Sequence, residues 1–203
     1  MKVIKSYSYD NTEILKNISS LYLSNSPFQL DPTYSAGNFY KDFTEPEYKY
    51  DIKPQCESVL KSCSTNLPHD NNSIESICFD PPFLIGYGNC KTNKNISAVR
   101  FGIFKYYKDL LDYYLSSAIE FNRILKKGGI LAWKTQDYAT NPVTQHFLHI
   151  DVYKIAEMCG FKCIDLFVLL SKNRIYNPKL PQRQSRKFHC YWYVFKLKEN
   201  KKI

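Results

Sequence analysis

The residues best suited to take part in chemistry are Asp80, Pro81, Pro82 and Phe83, which follow the apolar run 77–79. The run predicts a short buried strand, and because proline cannot donate to a sheet ladder, the chain must leave the sheet there. A rigid turn at the carboxyl end of a strand lies where open α/β sheets place their ligands. Its carboxylate, backbone carbonyls and aromatic ring are suited to hold the exocyclic amine of a flat heterocycle.

The elements that must position this turn alternate between strand and helix patterns. Helices are predicted at 10–24, 109–127 and 141–160, and strands at 28–30, 48–51, 58–63, 76–79, 130–133, 161–170 and 189–197. Such alternation is typical of an α/β sheet with helices on both faces. No helix pattern separates the last two strands, which predicts an antiparallel hairpin. Gly128 and Gly129 are expected to end the second helix, and Asn141 with Pro142 to begin the third.

The composition is that of one soluble globular domain. The 203 residues are 44% hydrophobic and 23% charged, which argues against global disorder. No apolar stretch approaches the roughly 20 residues of a membrane span. The seven cysteines are odd in number and form no CxxC pair, so we expect reduced thiols in a cytoplasmic setting, whether bacterial, phage or host-cell. We therefore expect a single domain over 1–203 and no membrane partner.

The excess positive charge is concentrated in two segments. Residues 171–203 contain ten Lys and Arg and one Glu, and residues 84–108 contain five Lys and Arg and no acid. Two basic segments on a neutral body are typical of a surface that binds a polyanion. We predict a mobile loop at 84–108, a basic substrate-binding insertion at 171–188 and a helical N-terminal extension at 1–27. The predicted nucleic-acid contacts are Lys91, Lys94, Arg100, Lys172, Arg174, Arg183, Arg186, Lys187 and His189.

The Asp-Pro-Pro-Phe turn resembles the D/N/S-P-P-aromatic motif of S-adenosylmethionine-dependent amino-methyltransferases, which methylate adenine N6 or cytosine N4 in DNA and some bases in RNA. Two further stretches resemble the same family. Residues 66–77 lead into the tetrapeptide, and residues 123–131 match a helix-to-strand signature. The resemblance covers roughly residues 28–197. It implies a Rossmann-like class I methyltransferase fold with a seven-stranded, mostly parallel sheet.

The resemblance also implies a binding site for S-adenosylmethionine. The family's first motif, Asp-Pro-x-x-Gly-x-Gly-x-Phe, is matched by residues 31–39, except that Ser35 replaces the first glycine. This turn must let backbone N–H groups approach the cofactor, and serine is expected to form it only if its backbone avoids positive φ. Asp51 ends the next strand, where a carboxylate accepts ribose hydroxyls in nucleotide-binding folds. The implied cofactor-binding residues are Asp31, Pro32, Thr33, Gly37, Phe39, Asp51, Cys63 and Ser64.

Cys63 and Ser64 stand where the third motif of the family would place an acid for the adenine amine of the cofactor. Recognition of that adenine is therefore expected to depend on backbone groups. No set of metal ligands is indicated in the sequence. His146 and His149 are three positions apart on a predicted helix, but no third ligand stands nearby.

The implied reaction transfers a methyl group to an aromatic amine, whose lone pair is delocalised into the ring. The Asp80 carboxylate and the Pro81 carbonyl would accept its two N–H bonds and aim its lone pair, and Phe83 would stack on the base. Aspartate in the first position favours adenine N6 over cytosine N4, and DNA is favoured over RNA. An RNA base (adenine N6 or guanine N2) is an open alternative, as is a non-catalytic nucleic-acid-binding protein on a degenerate methylase fold. The sequence does not indicate an oligomeric state.

Overall fold

The computed structural model describes residues 3–83, 85, 104–139, 144–172, 182 and 184–198. Within these ranges the helices are α1 (Asn11–Tyr22), α2 (Tyr107–Ile124) and α3 (Leu148–Met158), with a 3₁₀-helix at Asn38–Tyr40. The strands are β1 (Tyr7–Ser8), β2 (Leu30–Asp31), β3 (Tyr48–Asp51), β4 (Leu60–Lys61), β5 (Ile74–Phe79), β6 (Leu125–Thr135), β7 (Tyr138–Ala139), β8 (Gln145–His146), β9 (Phe161–Leu170) and β10 (His189–Leu197).

Eight of these strands form one sheet in the order β1-β9-β10-β6-β5-β2-β3-β4. Neighbouring strands are parallel except where β10 runs antiparallel to both β6 and β9. This confirms a mostly parallel sheet with a C-terminal antiparallel hairpin. The sheet has one strand more than the seven predicted, because Tyr7 and Ser8 pair with the edge of β9. A strand of two residues is too short to show alternation, so β1 leaves no pattern in the sequence.

The chain changes direction across the sheet between β2 and β5. From β2 it moves outward through β3 and β4, then returns to place β5 on the other side of β2, where β6 and the hairpin follow. Such a switch point opens a crevice beyond the carboxyl ends of the two central strands, where ligands bind in open α/β sheets. Asp31 ends β2 and Asp80 directly follows β5, so both carboxylates lie at this crevice.

Helices cover both faces of the sheet, as predicted. Ile77 and Phe79 of β5 join the core that packs against α2 and α3, whereas Cys78 joins the core that includes α1. Successive side chains of a strand point to opposite faces, so a central strand that is covered on both sides must be apolar throughout. All three side chains are fully buried. This explains the continuous apolar run in front of Asp80.

Helix α1 agrees with its predicted range to within two residues. Asp10 is the N-cap, and its side chain accepts the backbone N–H of Thr12 at 2.9 Å. Ile14, Leu15 and Ile18 are fully buried. The spacing of these three residues places them on one face of the helix, which packs against the sheet.

Helix α2 ends three residues earlier than predicted. The pattern predicts a helix that runs to Lys127 and stops at two glycines, but the helix ends at Ile124 and β6 follows directly. Residues 126–129 form an irregularity between two points where β6 pairs with β5. Gly128 adopts φ +80°, and a Cβ on Gly129 would lie 2.8 Å from a backbone carbonyl oxygen. The two glycines therefore allow a strand bulge and do not cap the helix.

Helix α3 begins at Leu148, and the predicted start near Asn141 is wrong. The chain just before it is extended, because β8 pairs with β7 in a small hairpin. Asn141 and Pro142 themselves lie outside the described residues. A free N–H of the first turn is satisfied by Asp137, whose carboxylate accepts the backbone N–H of His149 at 3.2 Å. The capping carboxylate thus comes from the segment that follows β6.

The loop predicted at 84–108 lies largely outside the described residues. Ile85 and Phe104, which are described, form an isolated parallel bridge, and α2 begins at Tyr107, inside the predicted bounds of the loop. The insertion predicted at 171–188 is described only at its two ends and at residue 182. In the described parts of the chain, no helix is both long enough and apolar enough to span a membrane.

Candidate active site

The Asp-Pro-Pro-Phe turn is held from two sides. The backbone N–H of Asp80 donates to the hydroxyl oxygen of Thr33 at 2.9 Å, and the carbonyl of Pro82 accepts from the Tyr114 hydroxyl at 3.1 Å. Thr33 follows β2 and Tyr114 belongs to α2, so the turn is tied to both the sheet and the helix. Phe83 is half-buried and packs against the core. The backbone of the turn is therefore fixed, while the Asp80 carboxylate keeps 23% of its side-chain surface exposed.

Asp31 is the buried counterpart of Asp80 at the end of β2. It is 2% exposed, and like Asp80 it is followed by a buried proline, here Pro32. Its carboxylate accepts the backbone N–H of Thr33 at 2.8 Å, the Thr33 hydroxyl at 3.2 Å and the Tyr40 hydroxyl at 2.7 Å. Burial raises the pKa of Asp31 to about 7 despite these hydrogen bonds, and the charge of Asp80 acts in the same direction. Asp31 therefore organises the loop that follows it.

The loop 31–39 contains two left-handed residues. Ser35 adopts φ +55°, so the expectation that a serine can form this turn only if its backbone avoids positive φ is wrong. That conformation costs a residue with a Cβ about 1–2 kcal/mol, and the Ser35 N–H offsets part of this by donating to Asp51 Oδ2 at 3.0 Å. Gly37 has φ +65°, and a Cβ there would lie 2.4 Å from the Tyr34 hydroxyl oxygen. The loop thus makes the sharp turns that the glycine motif would make.

Asp51 ties this loop to the end of β3. Its Oδ2 accepts the Ser35 N–H, and its Oδ1 accepts the Lys53 N–H at 2.7 Å. Because β3 pairs with β2 in parallel, Asp51 lies at the same edge of the sheet as Asp31. Each carboxylate oxygen has two lone pairs, so Asp51 retains acceptor capacity for the hydroxyl groups of a ribose.

Cys63 and Ser64 lie just beyond β4, and their side chains form hydrogen bonds with neighbouring side chains. The Ser64 hydroxyl donates to the Tyr113 hydroxyl at 2.7 Å and lies 2.9 Å from the Ser117 hydroxyl, both on α2. Cys63 Sγ accepts from the Thr65 hydroxyl at 3.1 Å. Burial raises the pKa of Tyr113 to about 12, so its hydroxyl is protonated at neutral pH. These contacts stabilise the junction with α2, and a cofactor contact at these two positions stays a prediction.

Phe39 and Trp192 enclose a cation that no sequence pattern marks. Their ring centroids are 5.8 Å apart in an edge-on arrangement. The Lys134 ammonium lies 4.7 Å from the Phe39 centroid and 5.6 Å from the Trp192 centroid. It also lies 3.2 Å from Asp80 Oδ2. In the sequence this lysine looks like a polar residue at the end of a strand, yet it is only 8% exposed. It brings a buried positive charge beside the predicted catalytic carboxylate.

A second unpredicted pair joins the end of β6 to α3. Asp137 is 4% exposed, and His149 Nδ1 lies 2.7 and 2.8 Å from its two carboxylate oxygens. The His149 ring packs on Tyr191, whose hydroxyl lies 3.0 Å from His189 Nε2. The sequence gives no sign that His149 and Asp137 are partners, because the hairpin of β7 and β8 separates Asp137 from the helix that carries His149. Across the described residues, no group of three or more His, Cys, Asp or Glu could hold a metal ion.

Four of the predicted nucleic-acid contacts lie in the described parts of the chain: Lys172, Arg186, Lys187 and His189. The Lys172 ammonium lies 5.4 Å from the centroid of the Tyr9 ring, and the Lys187 ammonium lies 3.2 Å from the Ser185 hydroxyl oxygen. Lys172 follows β9 and His189 begins the antiparallel β10, so both lie at the edge of the sheet that carries Asp80. The predicted contacts outside the described residues are Lys91, Lys94, Arg100, Arg174 and Arg183.

A cavity of about 580 Å³ lies at the opposite, amino edge of the sheet. Its lining includes Glu47, Glu75 and Lys126, which precede or begin β3, β5 and β6. The Lys126 ammonium pairs with a Glu75 carboxylate oxygen at 2.7 Å, and both side chains are exposed. The charges that line this cavity are therefore exposed, unlike the buried carboxylate of Asp31 at the carboxyl edge.

No protein-family model matches the chain, and no curated protein matches it significantly. Solved structures do match. One is the 1,6-didemethyltoxoflavin-N1-methyltransferase of Burkholderia thailandensis, solved with 1,6-didemethyltoxoflavin and S-adenosylhomocysteine bound. The identity is 12% and the TM-score 0.55, and the match covers 95% of this chain and 80% of that chain. Another is from a complex between a methyltransferase activator and a proposed methyltransferase of Haloferax volcanii, at 12% identity and a TM-score of 0.53, covering 93% and 95%.

A third similar structure is a proposed DNA modification methylase from Thermus thermophilus. The identity is 16% and the TM-score 0.48, and the match covers 68% of this chain and 52% of that chain. The chain therefore spans about half the length of that protein. The two matches with higher TM-scores cover nearly the whole chain, and at their identities they show the fold: a Rossmann-like class I methyltransferase fold.

Proposed function

We propose that this protein is an S-adenosylmethionine-dependent methyltransferase that methylates the exocyclic amine of a nucleic-acid base, with adenine N6 in DNA as the favoured target. The observation that carries the proposal is the position of the Asp-Pro-Pro-Phe turn at the switch point of a methyltransferase fold. The Asp80 backbone is tied there through Thr33 to the loop after β2. A turn that resembles an amino-methyltransferase motif thus adjoins the loop that resembles the cofactor motif of the same family.

S-Adenosylmethionine, when bound, supplies a methyl group whose carbon forms a bond to the amine nitrogen while the carbon–sulfur bond breaks, the bonding pair returns to sulfur, and one amine proton passes to solvent. The residues that would hold it are Gly37, Phe39 and Asp51. The fit is supported by the left-handed turns at Ser35 and Gly37, which allow a close approach to the backbone. Asp51 supports it further with lone pairs for ribose hydroxyls.

The chain's own residues then position the amine. The Asp80 carboxylate accepts one N–H and the Pro81 carbonyl accepts the other, which draws the nitrogen toward tetrahedral geometry and directs its lone pair. Pro81 and Pro82 have no backbone N–H, so neither can donate a hydrogen bond that would compete with the amine for the carbonyl oxygens of the turn. Phe83 stacks on the base, which is typically worth about 1–3 kcal/mol. Most of the rate enhancement comes from positioning and fixed dipoles, and no covalent intermediate is needed.

A nucleic-acid substrate is supported by the distribution of charge. The net charge of +9 is concentrated in residues 171–203, and Lys172 and His189 from that segment lie at the edge of the sheet that carries Asp80. Basic groups at that edge would contact phosphates and so keep the strand near the turn. A base within a duplex must leave the stack before it reaches the turn. Adenine is favoured over cytosine because the first residue of the motif is aspartate.

The test is transfer of radiolabel from the methyl donor to DNA and to RNA, offered separately. Wild-type protein should place label in DNA as N6-methyladenine. Asp80→Ala should lower the rate by about 10²–10³-fold, because one preorganised acceptor for the amine is lost. The matched control is Glu75→Ala, which removes a carboxylate from the strand that precedes Asp80, but at its amino end. That variant should keep the wild-type rate.

The outcomes separate the candidate functions. Label confined to RNA would move the target to an RNA adenine N6 or guanine N2. Absence of label in both polymers, together with absence of donor binding by calorimetry, would contradict an enzyme and favour a nucleic-acid-binding protein on a degenerate methylase fold. An equal loss of rate in both variants would show that the position of Asp80 has no special role.

A further inference from the structure

Lys134 places a buried cation inside the candidate site. It is the last but one residue of β6 and is 8% exposed, and its ammonium lies 3.2 Å from Asp80 Oδ2. Its neighbour Trp133 pairs with Phe79, so the register of β5 and β6 sets Lys134 beside Asp80. Burying an ammonium is costly unless it is paired. The contacts of Lys134 must therefore form a true cation site.

Two aromatic rings complete that site. The ammonium is 4.7 Å from the centroid of Phe39 and 5.6 Å from the centroid of Trp192. Ring faces attract cations within about 6 Å, and this attraction strengthens when the site is shielded from water. The cation site is thus made of one carboxylate and two rings: Asp80, Phe39 and Trp192.

The walls of the cation site are held by contacts that do not involve the lysine. The Trp192 indole N–H donates to Asn11 Oδ1 at 3.0 Å, and the Phe39 carbonyl accepts from the Thr12 hydroxyl at 3.0 Å. Asn11 and Thr12 both belong to the first turn of α1. Lysine, in contrast, reaches the site on a flexible four-carbon stem. The cation site therefore keeps its shape when the ammonium moves away.

This composition suits a second kind of cation. A sulfonium has no N–H to donate, so ring faces and a carboxylate recognise it in the way that aromatic cages recognise quaternary ammonium ions. The cation site joins Phe39, which ends the loop that resembles the cofactor motif, to Asp80, which would hold the amine. A methyl group that passes from donor to amine must cross between these two segments.

We propose that the Lys134 ammonium and the sulfonium of S-adenosylmethionine compete for this cation site. Lys134 then weakens binding of the cationic donor relative to the neutral product, S-adenosylhomocysteine. When the donor binds, the lysine withdraws or shares Asp80 with a like charge, which is unfavourable in a site of low polarity. The neutral product requires neither change. This inference rests on the proposed function, since it assumes that the donor binds at all.

The test measures the dissociation constants of donor and product by calorimetry and compares their ratio among variants. Lys134→Met removes the charge and leaves an unbranched side chain one atom shorter, and Lys134→Gln keeps a donor for Asp80. Both should tighten donor binding by roughly tenfold, with product binding unchanged within about twofold. Lys134→Arg keeps the charge and should keep the wild-type ratio. Lys126→Met removes the same charge from the other end of β6 and should also keep it.

Each result is decisive. If the wild-type protein binds neither donor nor product, the proposed function fails, and the competition between cations fails with it. If the wild type binds both but Lys134→Met and Lys134→Gln leave the ratio unchanged, only the competition is overturned. An equal gain with Lys126→Met would show a bulk charge effect and would also overturn it, as would weaker donor binding in the Lys134 variants. Circular dichroism checks folding, and if Lys134→Met does not fold, Lys134→Gln decides.

Discussion

The cavity at the amino edge of the central sheet and the candidate site at its carboxyl edge hold charged groups in different surroundings. At the amino edge, a cavity of about 580 Å³ is lined by Glu47, Glu75 and Lys126, and the ion pair between the last two is exposed. At the carboxyl edge, Asp31 and Lys134 are almost fully buried. Burial of a charge costs free energy unless specific partners offset it. The buried charges of the candidate site point to chemistry there, whereas the charged side chains that line the cavity are exposed.

The sharpest way to break this contrast is Asp31→Asn, because burial raises the pKa of Asp31 to about 7. A carboxyl group whose folded-state pKa exceeds its ordinary value of 3.8 stabilises the fold below that value and loses this contribution as the pH rises through 7. From this group the free energy of unfolding should fall by up to about 4 kcal/mol between about pH 4 and pH 8. The variant should lack this fall in urea unfolding across that range. Glu75→Gln at the amino edge should keep it, and equal slopes in Asp31→Asn and wild type would refute the buried charge.

The next effect is expected from Asp51→Asn, which tests whether the carboxyl edge binds the cofactor. Asp51 accepts the N–H groups of Ser35 and Lys53, and by the proposal it also accepts ribose hydroxyls. Its loss should weaken binding of S-adenosylhomocysteine by about 30–100-fold, or about 2–3 kcal/mol. Calorimetry measures this directly. The amino-edge counterpart Glu47→Gln should bind as the wild type does, and a similar loss in both variants would remove the distinction between the edges.

Relieving or adding backbone strain should change the free energy of unfolding by a smaller amount, with opposite sign at the two edges. Ser35→Gly relieves a left-handed residue with a Cβ and should raise the free energy of unfolding by about 0.5–1 kcal/mol, after the entropy cost of glycine. Gly128→Ala at the amino edge, where φ is +80°, should lower it by about 1 kcal/mol. Thermal and urea unfolding measure both. Ser35→Ala keeps the Cβ, so stabilisation by that variant would assign the effect to the hydroxyl and not to φ.

The smallest effect is expected at the amino edge, where Lys126 pairs with Glu75 at 2.7 Å in solvent. Exposed ion pairs are typically worth about 0–1 kcal/mol. Glu75→Gln should therefore change the free energy of unfolding by less than about 0.5 kcal/mol, and less still at high salt. A loss well above 1 kcal/mol in urea unfolding would show that this pair is coupled to the fold as the buried groups are.

Local signals in the sequence predict much of this fold. The apolar run followed by Asp-Pro-Pro predicts both the end of β5 and the turn, because burial on two faces and the lack of proline N–H groups act on neighbouring residues. The predicted ranges of β3, β9 and β10 agree with the structure to the residue. The ends of α2 and the start of α3 were not predictable in this way. They are set by strand pairing and by Asp137, which lie beyond the local pattern.

The site was predictable only for residues whose positions follow from their own local segments. The carboxylates Asp31, Asp51 and Asp80 each follow or end a strand, so their common edge can be inferred from the order of elements. Lys134 is different, because its partner Asp80 is set by the register between β5 and β6. Ser35 is different as well, since its left-handed backbone depends on an acceptor sixteen residues away. Contacts between residues far apart in the sequence offset the free-energy costs of the buried lysine and the left-handed serine. A local sequence pattern does not reveal such contacts.

The Thr33 hydroxyl connects the two halves of the site, the loop 31–39 and the Asp-Pro-Pro-Phe turn. This hydroxyl donates to Asp31 Oδ1 at 3.2 Å and accepts the Asp80 N–H at 2.9 Å, so one oxygen atom links the loop to the turn. A ligand that shifts either segment shifts the hydrogen bonds of the other. If the proposed function holds, thermodynamic linkage makes this coupling reciprocal: the factor by which the bound methyl donor changes the affinity for the amine equals the factor by which the bound amine changes the affinity for the donor. The order in which the two substrates arrive then alters the route to the ternary complex but not its free energy.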